Sequence, residues 1–424
     1  MLAGYFLVLT ALGAIAHPAT TKEVPPSYAN CTVVRVPIQG NVRELKNLIN
    51  ELALQVWQPI KDTSRSGGFV DFVLPLQNKA TWDARTTHFS PEVMHRELGS
   101  EIEAEKRSMV RYGGDPNSKW FDSYHSYGDH LDFLHDLRVE YPRNSKIVSS
   151  GCSYEGRNIT GIHIHGSTKG KKPAVVLHAT VHAREWITTM VVEYVAYSLL
   201  AGKRSEYKLQ GLLDKYDFYI FPFVNPDGFV YTQKHDRLWR KNRQPTRDAS
   251  CTGVDINRNW PHKWDVPGGA SKFPCDDDFR GYSAGSNPEA KSLALFLKDV
   301  KRKQGLKLYW DFHSYSQLFM TPYGYSCAAV SSKSTEYLAL AKGASRAIKA
   351  VHGTVFAYGP ICETIYQASG GSVDFAADEA KADYSVTTEL RDQGRYGFLL
   401  PASKIVPTCE EMFAGFRYVL ANVK

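Results

Sequence analysis

Apolar and polar residues along the chain follow two different periods. Thr32 to Pro37 and Phe69 to Leu76 alternate as strands do, whereas Val42 to Trp57 carries Leu45, Leu48, Ile49, Leu52, Leu54 and Val56 at helical spacing. Glu92 to Arg107 is polar and charged, predicts a connecting helix, and ends in the dibasic pair Lys106-Arg107. A loop rich in Gly, Pro, Asp and Asn, Gly113 to Ser118, then marks a boundary. From Trp120 onward short apolar runs alternate with helical segments. Ala174 to Ala179, Phe218 to Val224, Leu306 to Phe312 and Tyr384 to Leu390 read as strands. Tyr127 to Val139, Thr188 to Leu200, Ala290 to Val300 and Glu336 to His352 read as helices, with Asn287-Pro288-Glu289 as a helix start and Gly353 as a stop. The turn Asn225-Pro226-Asp227-Gly228 is expected to end a strand, and Thr408 to cap a last helix through Val423. Apolar strands between helices imply an α/β fold, a mostly parallel or mixed sheet covered on both faces.

Length and composition narrow the class. The 424 residues suit two to three domains, and 43% hydrophobic with 22% charged residues is ordinary for a globular protein. A net charge of +7 without a dense Lys/Arg tract gives no support to nucleic-acid binding. Leu2 to Ala16 is almost wholly apolar and closes on Ala14-Ile15-Ala16, a small-residue cleavage pattern, so residues 1–16 are expected to be a signal peptide and the protein to be secreted. No later stretch is long and apolar enough for a membrane span. Export agrees with seven cysteines, Cys31, Cys152, Cys251, Cys275, Cys327, Cys362 and Cys409, of which six can form three bridges in pairings the spacing leaves open. Asn30 and Asn158 head glycosylation sequons.

Chemistry enters with Val181-His182-Ala183-Arg184-Glu185-Trp186. A borderline divalent ion takes imidazole nitrogen and carboxylate oxygen, and one turn can aim His182 and Glu185 at a single point. Alone, such a pair is as readily a surface His–Glu contact. His313 and Glu389, however, also fall at or just past strand ends, the edge where open α/β sheets bind ligands. Two His and one Glu leave a fourth position for water, and a separate carboxylate, Glu389, is the candidate to take that water's proton. Arg240 and Arg258, set beside Trp and Asn in the segments 238–241 and 255–260, offer guanidinium forks for a carboxylate or an oxyanion.

Together these segments resemble the carboxypeptidase A family of zinc metallocarboxypeptidases. The resemblance runs through HAREW at 182–186, NPDG at 225–228, RLWRK at 237–241, DINRNW at 255–260, DFHSYSQL at 311–318, IYQASGGSVD at 365–374 and TELRDQGRYGFLLPA at 388–402. It implies an eight-stranded mixed, mostly parallel sheet flanked by helices. It implies one zinc ion per chain on His182, Glu185 and His313, with Asp255 orienting His182 and Glu389 as general base and proton donor. Arg240 would hold the oxyanion; Asn257, Arg258 and Tyr366 would bind the terminal carboxylate, Tyr366 from a mobile loop. Arg184 and Tyr315 would contact residues further from the terminus. The side-chain pocket would comprise Met320, Gly324, Ile361, Ile365, Ala368, Val373 and Thr387. Because basic-specific relatives carry an acid where this chain has Val373, with Asp374 only adjacent, aromatic and large aliphatic C-terminal residues are expected as substrates.

The same resemblance implies a precursor. Residues 17–107 would be a small α+β inhibitory propeptide, released by an activating protease near Lys106-Arg107 or at Arg111, and residues 108–424 the catalytic domain. The family has a bridge at Cys251–Cys275, some relatives one at Cys327–Cys362, and elimination leaves Cys152–Cys409 with Cys31 unpaired. The expected partners are peptide and protein C-termini, with no nucleic acid and no membrane, and a monomer is the default. Two rival readings are a non-enzymatic peptide-binding protein on this fold, which predicts a missing ligand or base, and an endopeptidase on the same metal, which has no use for a carboxylate grip.

Overall fold

The computed structural model describes residues 26–38, 42–58, 68–167, 170–202 and 210–424, so the expected signal peptide lies outside the described residues. The N-terminal part runs β1 (Cys31–Pro37), α1 (Val42–Glu51), β2 (Val56–Gln58), β3 (Phe69–Pro75), α2 (Leu76–Arg85), β4 (Glu92–His95) and α3 (Leu98–Ser108). Its strands form an antiparallel four-stranded sheet in the order β2-β3-β1-β4, closed by its own core of Val34, Val36, Leu45, Leu48, Val70, Phe72 and Trp82.

The larger part runs α4 (Tyr127–Glu140), β5 (Ser145–Cys152), β6 (Asn158–Ile164), β7 (Ala174–His178), α5 (Trp186–Ala201), α6 (Gln210–Lys215), β8 (Asp217–Phe221), α7 (Pro226–Lys234) and α8 (Pro288–Gln304). It continues with β9 (Leu306–His313), β10 (Leu318–Thr321), α9 (Ser334–His352), β11 (Ala357–Pro360), α10 (Ile361–Thr364), α11 (Ser372–Asp378), β12 (Tyr384–Glu389) and α12 (Ile405–Asn422). One mixed eight-stranded sheet, β11-β10-β12-β9-β7-β8-β6-β5, is parallel through its centre and antiparallel toward β5. Every residue of β7 is buried, as a central strand covered on both faces requires. One core packs α4, α5, α9 and α12 against one face, and a second packs α8 and α11 against the other.

Several expectations are corrected. The helix predicted over Val42 to Trp57 stops at Glu51, Ala53 takes a positive φ of 48°, and Val56–Gln58 becomes an edge strand. Glu92 to Arg107 divides into β4 and α3, because Met94 and His95 face β1 and the N-terminal part's contact with the larger one. Asn225-Pro226-Asp227-Gly228 opens a helix: Asn225 caps α7, its side chain accepting from Gly228 N at 2.9 Å, with Pro226 in the first turn where no N–H is needed. Thr408 is one turn inside α12 and donates back to Lys404 O at 2.7 Å, so it is not the cap. Gly353 does end α9, in the left-handed conformation with φ 81°.

Cys251–Cys275 and Cys327–Cys362 are bonded. Cys152–Cys409 is not. Cys152 is exposed at the end of β5, whereas Cys409 is buried in α12 with its thiol against Met190 O, so the two sulfurs occupy different layers. Cys31 is a buried free thiol. Asn30 and Asn158 are both exposed.

Candidate metal centre and substrate cleft

The topology collects the chemistry. β12, β9 and β7 are neighbours and parallel, so their C-terminal ends emerge along one edge. Glu389 ends β12 and stands in register with His313, which ends β9. β7 ends at His178, and the chain then crosses to α5 through a short loop carrying His182 and Glu185.

That loop is held at each step. Ala179 N donates to Phe221 O, Thr180 N to Thr188 Oγ1 and Ala183 N to Arg240 O, each at 3.0 Å. Asn225 Nδ2 donates to Val181 O at 3.2 Å and to Lys241 O at 3.0 Å, stitching the His182 loop to the Arg240 segment. The cap of α7 is thus also a brace of the centre, a role its reading as a turn residue concealed.

His182 Nδ1 lies 2.8 Å from Glu185 Oε1 and 3.0 Å from His313 Nδ1, which in turn lies 3.1 Å from Glu185 Oε2. All three residues are buried. On the far side of the first ring, His182 Nε2 faces Asp255 Oδ1 at 3.2 Å, a pure acceptor that fixes the proton there and turns the Nδ1 lone pair inward. Lone pairs of two imidazoles and a carboxylate converging on one point repel unless a cation lies between them. The donor set, two His nitrogens and one carboxylate oxygen, is the one zinc takes at catalytic sites, so the residues present fit the ion.

Asp255 joins the centre to Arg240 and Asn257. Its Oδ2 accepts from Arg240 at 2.8 and 3.2 Å, and Oδ1 accepts from Asn257 N at 2.8 Å. Burial works against its ionisation, but the Arg240 guanidinium beside it and the N–H it accepts from His182 hold the carboxyl well below the usual carboxylate range. Arg240 Nη1 stands 4.0 Å from Glu185 Oε1, which places its guanidinium at the centre's margin.

A cleft opens from the two histidines and brings together His182, His313, Asn257, Arg258, Tyr366, Val373 and Glu389. Arg258 Nη2 reaches the Tyr366 hydroxyl at 3.5 Å. Its Nε is buried without a hydrogen-bond partner among the described residues, which leaves a donor free at the cleft. Met320, Gly324, Ile361, Ile365, Ala368, Val373 and Thr387, the set that the family resemblance implies for the side-chain pocket, all line the cleft. Asp374 also lines the wall, but its carboxylate accepts from Gly324 N and Tyr325 N, and burial pushes it up to about 7.

Arg184 and Tyr315 do not line this cleft. They lie on its other flank, buried where the N-terminal part sits. Tyr315 donates to Asp71 Oδ2 at 2.6 Å, Gln58 Nε2 donates to Tyr315 O at 3.0 Å, and Arg35 pairs with Asp71 through two bonds. Arg184 pairs with Asp277 at 3.0 Å and stacks on Phe398.

The comparisons agree with this geometry. A family model described as zinc carboxypeptidase matches residues 130–415. The chain is 43% identical over 427 residues to the metallocarboxypeptidase A-like protein of Trichophyton verrucosum, covering 99% of each. It is 40% identical over 304 residues to carboxypeptidase A2 of Mus musculus, covering 72% of this chain and 71% of that one. Among solved structures, that of thrombin activatable fibrinolysis inhibitor superposes with a TM-score of 0.84 at 30% identity, covering 92% of this chain and 98% of the other. Carboxypeptidase A from Helicoverpa armigera does so with 0.81 at 26%, covering 93% and 98%. The matched family model and the identities over nearly the whole chain show that the chain belongs to the zinc carboxypeptidase family, as a zinc-dependent, metallocarboxypeptidase A-like hydrolase.

Proposed function

We propose that this protein is an exported precursor whose matured form removes single aromatic or large aliphatic residues from peptide C-termini. The observation that carries the reading is the convergence of His182, Glu185 and His313 beside a cleft lined by the Arg258 guanidinium and an apolar wall. These three residues would hold one zinc ion, which supplies Lewis-acid polarisation and a water of lowered pKa. Asn257, Arg258 and Tyr366 grip the terminal carboxylate and so set the register of the chain end. The C-terminal side chain enters the wall around Val373. Glu389, at the cleft's edge, takes the proton of the attacking water and hands it to the leaving amine. Arg240, held by Asp255, holds the negative charge that develops on the carbonyl oxygen.

Residues 17–107 act as the inhibitory segment, residues 108–424 as the enzyme. Three contacts support this. Asp71 and Gln58 cover Tyr315, Trp57 packs against Phe398, and a two-bonded Glu105–Arg237 pair clasps the last turn of α3. Lys106 and Arg107 are exposed in that same turn, and Arg111 is exposed just beyond, within reach of a protease of basic preference. Two disulfides favour an oxidising compartment, consistent with export. No described helix is long and apolar enough to cross a membrane, and the matured enzyme is taken as a monomer with Asn30 and Asn158 as glycan acceptors. The test is product analysis after limited proteolysis near residue 107. A peptide ending in free Phe should lose one residue at a time and its C-terminal amide should resist; equal cleavage of both would favour an endopeptidase instead.

A further inference from the structure

The centre contains a further carboxylate that the motifs do not single out. Asp311 lies two residues before His313 on β9, so strand alternation turns both side chains to one face while Trp310 and Phe312 turn to the other. Its Oδ2 stands 3.2 Å from His313 Nε2 and accepts from Ser372 Oγ at 2.5 Å. Behind it, the Tyr309 hydroxyl faces Asp311 and Ser372 and bonds His178 Nδ1 at 3.0 Å. Asp311 is fully buried. A carboxylate so deep needs a positive counterpart, yet the side chains it meets among the described residues carry no fixed positive charge. The compensation has to come through the His313 ring.

Asn257 Nδ2 also lies 3.2 Å from His313 Nε2. It can donate there only when that nitrogen lacks its proton. Ligation through Nδ1 places the proton on Nε2, and the acceptor within reach is then Asp311. Asn257 Oδ1 meanwhile accepts from Ser372 N at 2.9 Å, so its amide is already oriented.

We propose that Asp311 is the orienting carboxylate of His313, as Asp255 is of His182, and that Ser372 ties it to the first turn of the helix that carries the pocket residue Val373. Each imidazole then has its own anion behind it. The centre binds its ion more tightly than a single such pair allows, and the seat of the ion and the wall of the pocket share one buried brace. Asp311 and Ser372 are positioning residues. Asp311 touches neither substrate nor the ion.

The inference rests on His182, Glu185 and His313 being the ligands, so the experiment separates the two claims. Zinc affinity is measured by competition with a chromophoric chelator on the matured protein, together with the visible absorption of the cobalt-substituted form and thermal unfolding of the metal-free form. Asp311→Asn should weaken zinc binding about 10- to 100-fold, the range for loss of such an outer partner, and shift the cobalt bands. Ser372→Ala should weaken binding less, in the same direction, and serves if Asp311→Asn does not fold. Zinc affinity and cobalt spectrum unchanged in a folded Asp311→Asn or Ser372→Ala protein would overturn the proposal. His313→Ala is the control. Loss of stoichiometric zinc there, with Asp311→Asn unaffected, sinks only the role of Asp311, whereas retention of zinc by His313→Ala sinks the ligand set itself.

Discussion

Replacing Val373 by Asp tests whether the wall of the cleft chooses the substrate. Val373, Met320, Ile365 and Ala368 are all buried and apolar, and the one acid among them, Asp374, is occupied by two backbone N–H groups. Moving a Phe or Leu side chain from water into such a wall gains about 2–3 kcal/mol. In kcat/KM that is about 30- to 150-fold over a peptide ending in Ala. A Lys ammonium entering the same wall loses several kcal/mol of hydration with no counter-ion, which puts Lys on the order of a thousandfold behind Phe. Val373→Asp reverses both terms. Phe then has to desolvate a carboxylate, and Lys gains a partner worth about 3–5 kcal/mol, so the Phe-to-Lys ratio should fall by at least about a thousandfold. The assay is kcat/KM on one peptide series ending in Phe, Leu, Lys or Asp, with zinc content as the check that the variant is intact. The reasoning fails if the unaltered enzyme prefers Lys, or if the substitution leaves the ratio where it was.

Two further outcomes follow from the same contacts. Asp374 titrates at about 7 in the folded protein against an ordinary 3.8, so the native state holds its proton more tightly than the unfolded chain does. Its stabilising contribution is therefore complete below about pH 4 and lost as the pH rises toward 7, leaving a cost of up to about 4 kcal/mol above that. Asp374→Asn keeps an oxygen for Gly324 N and Tyr325 N but removes the charge; the urea midpoint of the metal-free protein should rise at pH 8 and stay unchanged at pH 4, and equal midpoints at both would contradict the assignment. The N-terminal part covers the Tyr315 flank, and none of its described residues lines the cleft around His182 and Val373. Cleavage near residue 107 should therefore raise kcat/KM far more for a long peptide than for a blocked dipeptide, and an equal rise for both would show that the cover extends over the whole cleft.

What could be read from the chain depended on whether chemistry or distance set the residue. The convergence of His182, Glu185 and His313, with Glu389 in register beside His313, is legible because metal donors restrict the residue types and strand ends restrict the place. The central strands were legible from continuous apolar runs. Asp311 does not stand out in the sequence, although the spacing Asp-x-His on a strand puts both on one face; inside an apolar run a lone acid reads as an interruption. Asn225 carried a turn signal that fits a helix cap equally well, because the same local hydrogen bonds serve both. The end of α1 was missed because Leu54 and Val56 continue the apolar spacing into the small sheet, where packing against β3 outweighs helical period. Cys152–Cys409 failed because elimination contains no distance: one thiol faces solvent and the other is buried beneath α5.

The central claim, that a carboxylate at the end of β12 moves the proton at a centre built by the neighbouring parallel strands, is tested most directly by Glu389→Gln in the matured enzyme. The substitution preserves shape and leaves the three metal donors untouched. Zinc content should remain at one per chain while kcat/KM for a Phe-ended peptide drops by about 10²–10⁴. Turnover within a few-fold of the unaltered enzyme, with zinc still bound, would contradict the account.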